Sequence, residues 1–183
     1  MSPSKQPYDF PGAWYHIIGT AYGAWLYGDP RGFRTRHHRE HVEGDYKNPP
    51  PTGLHDWKKQ RSKRLMKQEE VRFPSNLRSV IGTALRERLE LEGIFVLCLA
   101  VAEQHVHLLV KLPLEADPRW FMGLAKKHAS FELKEHRWEG KVWGKRGKEL
   151  RIRNRSHQQN VYLYILRHES QGAYVWKWSA AQL

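Results

Sequence analysis

The spacing of apolar residues divides the chain into recognisable segments. Residues 14–22 (WYHIIGTAY) are rich in β-branched and aromatic side chains, which predicts a first strand ending at Gly23. Residues 23–53 are crowded with Gly, Pro and charge, including the runs RTRHHREH and PPP. They predict loops too polar to build a core of their own. Residues 58–67 (KKQRSKRLMK) predict a short basic helix. Over 76–91, Leu77, Val80, Ile81, Ala84, Leu85 and Leu89 fall at helical spacing, and Gly93 follows as a stop. Residues 94–101 form a continuous apolar run of strand length. Residues 105–112 form another strand after a turn near Glu103 and Gln104, so the two predict an antiparallel hairpin. Residues 117–136 predict a second amphipathic helix, opened by Asp117-Pro118. Its expected core stripe is Trp120, Phe121, Leu124, Ala125, His128 and Phe131. A short strand over 150–154 precedes a last helix over 156–171, with a Ser156/Gln159 capping box and Gly172 as its terminator.

This order is βαββαβ plus a closing helix. It predicts an α+β, ferredoxin-like sandwich. The expected organisation is a single domain over 1–183, with a flexible lead-in at 1–12 and a loop-and-helix insertion at 23–75.

Composition narrows the class of partner. The 183 residues carry 31 Lys and Arg against 19 Asp and Glu, a net charge of +12, with a hydrophobic content of 40 %. That content is enough for a core, and the charge favours a polyanionic partner, of which nucleic acid is the commonest. Cys98 is the only cysteine, so neither an internal disulfide nor a cysteine-based zinc cluster is possible. No apolar stretch reaches the ~18 residues of a membrane span, and the first ten residues show no secretory pattern. The expected location is the cytoplasm, with no membrane partner.

The candidate chemistry centres on His105-Val106-His107. Side chains alternate along a strand, so both imidazoles share one face while Val106, Leu108, Val110 and Leu112 share the other. Two histidines at i and i+2 can hold one divalent cation. The motif alone is weak, but it lies inside an apolar strand where a polar pair needs a reason. On the last helix Tyr164 and His168 are four residues apart and share a face. A histidine from that helix completes a three-ligand site, with a tyrosine one turn away. Tyr162 is the poorer candidate, because its i+4 neighbour is Leu166.

These segments resemble a known family. EQHVHLLVKL resembles the HUH motif (His, hydrophobic, His) of single-tyrosine transposases, and YILRHESQGAYVW resembles their tyrosine helix. IIGTAYGAWLYGDPRGF and VWGKRGKELRIRN resemble the first strand with its loop, and the lead into the last strand, of REP-associated tyrosine transposases. The likeness runs in order from about Trp14 to Val175. It implies His105 and His107 as metal ligands, Tyr164 as the nucleophile and His168 as a third ligand. The family usually has Gln or Asn at the position of His168, and an imidazole there favours Mn²⁺ or Zn²⁺ over Mg²⁺. The implied cofactor is a divalent metal (Mg²⁺ or Mn²⁺). The implied activity is cleavage and rejoining of single-stranded DNA through a 5′-phosphotyrosine, as in transposition or hairpin processing.

Expected substrate contacts are Arg151, Arg153 and Arg155, which alternate on one side of a strand placed at 150–154, with Lys126 and Lys127 as a second patch. Arg34 and Arg36 belong to a basic loop suited to a DNA hairpin, whose His37, His38 and His41 can also take up metal. Trp25, Tyr27, Trp143, Trp176 and Trp178 are candidate platforms for unpaired bases. The expected partner is single-stranded or hairpin DNA, bound by a monomer or a homodimer. The alternative is a non-catalytic single-stranded nucleic-acid-binding module on the same scaffold.

Overall fold

A computed structural model describes residues 8–34, 41–42 and 51–179; most of the expected lead-in lies outside the described residues. The strands are β1 (Gly12–Ala21), β2 (Phe33–Arg34), β3 (His41–Val42), β4 (Phe95–Val101), β5 (His105–Pro113), β6 (Trp143–Arg151) and β7 (Tyr174–Lys177). The α-helices are α1 (Asp56–Arg64), α2 (Ser75–Leu91), α3 (Pro118–Glu135) and α4 (Arg155–Leu166), and a 3-10 turn over Arg167–Gln171 continues α4. The main sheet has the order β6-β1-β5-β4-β7, and all of its neighbours are antiparallel. Without β7 this is the expected ferredoxin-like βαββαβ sheet, with an insertion between β1 and α2 and an extension by α4. No helix among the described residues is long and apolar enough to cross a membrane.

Two cores lie on opposite faces of the sheet, and strand alternation assigns residues to them. Val106, Leu108, Val110 and Leu112 of β5 join Ile17 of β1 and the inner faces of α2 and α3 in the larger core. Leu109 points the other way, into a smaller core with Cys98, Ala100, Val161 and Ile165 under α4. A register shift between Val96 and Cys98 sends those two side chains to opposite cores. Strands β4 and β5 are thus covered on both sides, which is why they read as unbroken apolar runs.

Four expectations need correction. The stripe of α3 is rotated: Met122, Ala125, Ala129 and Leu133 are buried, while Trp120 and Phe131 are 55 % and 52 % exposed. The helix sits close to β1, where a Cβ on Gly19 would lie 2.8 Å from Met122 and 3.1 Å from Lys126, so the absence of a side chain at Gly19 makes room for Met122 on the inner face. The last strand of the βαββαβ core is Trp143–Arg151 and not 150–154; glycines and charges hide it, as edge strands often require. Asn154, and not Ser156, caps α4 by accepting a hydrogen bond from the His157 N–H. The last helix stays α-helical only to Leu166, and residues 167–171 form a tighter turn closed by Gly172 at φ 79°. Strand β7 and the β2–β3 pair have no counterpart in the elements that the apolar spacing predicts.

Asn154→Ala should lower the unfolding free energy by about 1 kcal/mol, and Ser156→Ala by less than about 0.5 kcal/mol. Urea denaturation distinguishes the two caps.

Candidate metal and tyrosine site

The site forms where α4 and its 3-10 extension cross the open face of β5. His105 and His107 project from β5 towards that helix, as alternation requires. His168 arrives from the 3-10 turn and is buried. One ring nitrogen of each of the three lies within 4.8 Å of the others. Ligands bonded at about 2.1 Å to a shared ion sit about 3–3.5 Å apart, so only a small contraction separates this arrangement from a coordination shell.

The hydrogen bonds define which nitrogens are available. His107 Nδ1 lies 2.9 Å from His16 Nε2, and His168 Nδ1 lies 3.0 Å from the Tyr164 carbonyl oxygen. The carbonyl oxygen can only accept, so His168 Nδ1 donates and its Nε2 carries the free lone pair; His107 presents Nε2 in the same way in the tautomer whose Nδ1 donates to His16. Such outer partners orient metal-ligating imidazoles. Burial is the largest influence on the titration of His16, His107 and His105. It lowers His16 to about 4, with His157 and His168 adding to the shift, and His107 to about 2, with His105, His16 and His168 adding to it. His105 is lowered by burial, then by His168 and Arg31. A neutral imidazole at neutral pH is what a metal requires. The three-nitrogen donor set suits Mn²⁺ or Zn²⁺ better than the oxygen-seeking Mg²⁺.

Tyr164 stands against this cluster within the same chain. Its ring centre lies 4.9 Å from that of His168, 5.3 Å from His107 and 6.0 Å from His16. It is 46 % exposed, so its phenol is open to a substrate. Tyr162 instead packs on the smaller core. His16 is a member of the site that the sequence pattern does not single out. Its place in β1 is legible, but its approach to His107 depends on the β1–β5 register, in which Ile18 pairs with His107.

The expected substrate contacts separate. Arg151 ends β6, Arg153 lies in the turn and Arg155 opens α4, so they do not form one row along a strand. They come together nonetheless around a groove of about 390 Å³, which Trp14, Asn154 and Gln158 also line. Lys126 is packed over Trp143, and α3 lies on the opposite side of the sheet from the histidines, so Lys126 and Lys127 are remote from the site. Arg34 belongs to β2, and Arg36, His37 and His38 lie outside the described residues. Trp143 and Trp176 pack on the larger core, and Trp178 packs on Tyr8 and Phe95. Trp25 and Tyr27 remain exposed. Trp25 is pinned by its bond to the Gly32 carbonyl oxygen, with Arg31 stacked on its ring and Arg31 held in turn by Asp29.

An antiparallel ferredoxin-like sheet that offers a histidine pair from a central strand, with a tyrosine-bearing helix laid across it, defines the class of this fold. No protein-family model matches the chain, and no curated protein matches it. Among solved structures, a REP-associated tyrosine transposase bound to a REP hairpin aligns with a TM-score of 0.50 at 16 % identity, over 94 % of this chain and 75 % of that one. A proposed transposase from Deinococcus radiodurans aligns with a TM-score of 0.44 at 14 % identity, over 91 % of this chain and 97 % of that one. The first of these alignments gives the chain the fold of a REP-associated tyrosine transposase, in agreement with the resemblance seen in its motifs.

The lowered histidine pKa values give stability a definite pH dependence. Below about pH 6.5 the unfolded chain takes up protons that buried His16 and His107 refuse, so stability falls with pH across the window from 6.5 down to about 4. The melting temperature of the metal-free protein should drop through that window. Imidazole NMR shifts should show His16 and His107 still neutral at pH 5.

Proposed function

We propose that the chain cleaves and rejoins single-stranded DNA, with Tyr164 as nucleophile. The observation that carries this reading is the packing of an exposed phenol against three clustered imidazoles in one chain. The shared fold supports it. The solved relative holds a REP hairpin, and the +12 charge of this chain suits a polyanion of the same kind.

The Tyr164 oxygen attacks a backbone phosphorus. A P–O(tyrosine) bond forms as the P–O3′ bond breaks, which leaves a 5′-phosphotyrosine and a free 3′-OH. The phenolic proton leaves to solvent, to which the half-exposed ring is open, and the departing 3′-oxygen takes up a proton from solvent. Because one phosphoester replaces another, a second 3′-OH can reverse the step on a different strand without an external energy source. A divalent cation held by His105, His107 and His168 would stabilise charge on the phosphate and favour the phenolate. His16 acts on His107 and positions it. Arg151, Arg153 and Arg155 contribute positive charge at the start of α4. Nine residues of helical rise, about 14 Å, separate Arg155 from Tyr164, which puts the arginines beside a neighbouring stretch of the substrate backbone.

Incubation with labelled single-stranded hairpin oligonucleotides and Mn²⁺ should give a covalent protein–DNA adduct on denaturing gels. Tyr164→Phe should abolish the adduct while leaving DNA affinity within about twofold, since only the attacking oxygen is lost. An adduct in that variant would exclude Tyr164. His16→Phe should weaken metal binding by about 10–100-fold while the fold persists, as read by calorimetric titration with Mn²⁺.

A further inference from the structure

Helix α4 packs mainly on Cys98, Ala100 and Leu109 of β4 and β5, and meets β1 at Trp14 and at His16, whose ring lies against Tyr164. Beyond it, Ile18 of β1 and Lys148 and Leu150 of β6 stay accessible among the described residues. Register shows which residues face outward there. Ile18 pairs with His107 on one side and with Lys148 on the other, so Lys148, Ile18 and His107 form one row across the sheet on the same face. His16 pairs with Leu150 in the next row on that face.

The strip has the composition of a nucleic-acid track. Leu150 is 43 % exposed although it is a large apolar residue beside buried His16, and Ile18 is half-buried. Lys148 is exposed and makes no ion pair among the described residues. Strands β1 and β6 and helix α4 together contain a single carboxylate, Glu149. It faces the other side of the sheet, where Arg119 holds it at 3.1 Å. Nothing acidic on these three elements therefore opposes an anion on the strip.

We propose that one DNA strand runs along this β1–β6 strip beside α4, with Lys148 gripping its backbone and Ile18 and Leu150 supporting its bases. The inference rests on the single-strand reading above and names the path of the substrate. The Cα of Lys148 lies two interstrand spacings, about 10 Å, from that of His107. At the 3.4 Å rise of a stacked strand, that is about three nucleotides from a phosphate held at the histidines. Lys148 is a binding residue, and it leaves the chemistry to Tyr164.

The test is binding of a labelled single-stranded oligonucleotide of about 20 nucleotides in EDTA, with adduct formation in Mn²⁺ measured separately. Lys148→Glu should weaken binding at least tenfold and flatten the salt dependence by about one unit of slope. Lys148→Arg should stay within twofold of the parent chain. Lys134→Glu, the same charge reversal on the outer surface of α3, should also stay within twofold. Equal losses in Lys148→Glu and Lys134→Glu would overturn the track, even if the parent chain still forms its adduct. A parent chain that binds and responds to Lys148→Glu as stated but never forms an adduct would keep the track and defeat the tyrosine chemistry. A parent chain that binds no single strand would overturn both.

Discussion

Strand β5 has neighbours on both sides in the sheet and packed layers on both faces, so each of its side chains has one place to go. Val106, Leu108, Val110 and Leu112 are taken by the larger core. His105, His107 and Leu109 are left for the face under α4, where Leu109 joins the smaller core and anchors the helix. The same alternation that buries the apolar set therefore forces two imidazoles together and holds them beside the helix that carries Tyr164 and His168. A slip of one residue would exchange the two sets, putting histidines into a core with Ile81 and Leu85 and leaving valine at the site. The site is fixed by the hydrophobic burial beneath it.

That coupling explains why the polar groups tolerate such burial. Burial holds His105 and His107 towards the neutral form. His107 and His168 are also tied by hydrogen bonds, to His16 and to the Tyr164 carbonyl oxygen. Burial of a neutral, partnered ring is far less costly than burial of a charged one. The acceptor that orients His168 belongs to the backbone of the tyrosine residue itself. The His168 imidazole and the Tyr164 phenol are therefore carried on one turn, where α geometry gives way to a 3-10 turn after Leu166 and His168 is buried. On the sheet, α4 packs mainly on β4 and β5, and among the described residues Ile18, Lys148 and Leu150 stay accessible beside it.

Much of this is legible in the order of residues alone. The paired histidines, the Tyr164/His168 spacing, both core helices and the first three core strands are legible from apolar spacing and from periods of 2 and 3.6. The features that periodicity misses are set by tertiary geometry. His16 lies on a predicted strand, but its approach to His107 follows from register. Helix α3 carries two apolar stripes, and the one with Met122, which fits against Gly19 of β1, is buried, so Trp120 and Phe131 face out. Strand β6 carries Gly144, Gly147 and several cations, which locally read as a loop; pairing with β1 makes it a strand. That displacement divides the row Arg151, Arg153 and Arg155 between strand, turn and helix while keeping them around one groove.

The function proposed for this fold stands on one geometric condition: His105, His107 and His168 bind a single cation together next to Tyr164. Pulsed EPR on the Mn²⁺-loaded protein counts the coordinated imidazole nitrogens directly. Joint coordination requires three nitrogens in the parent chain and two in His168→Ala. A parent spectrum with no directly bound nitrogen, or one unchanged by loss of His168, would contradict it.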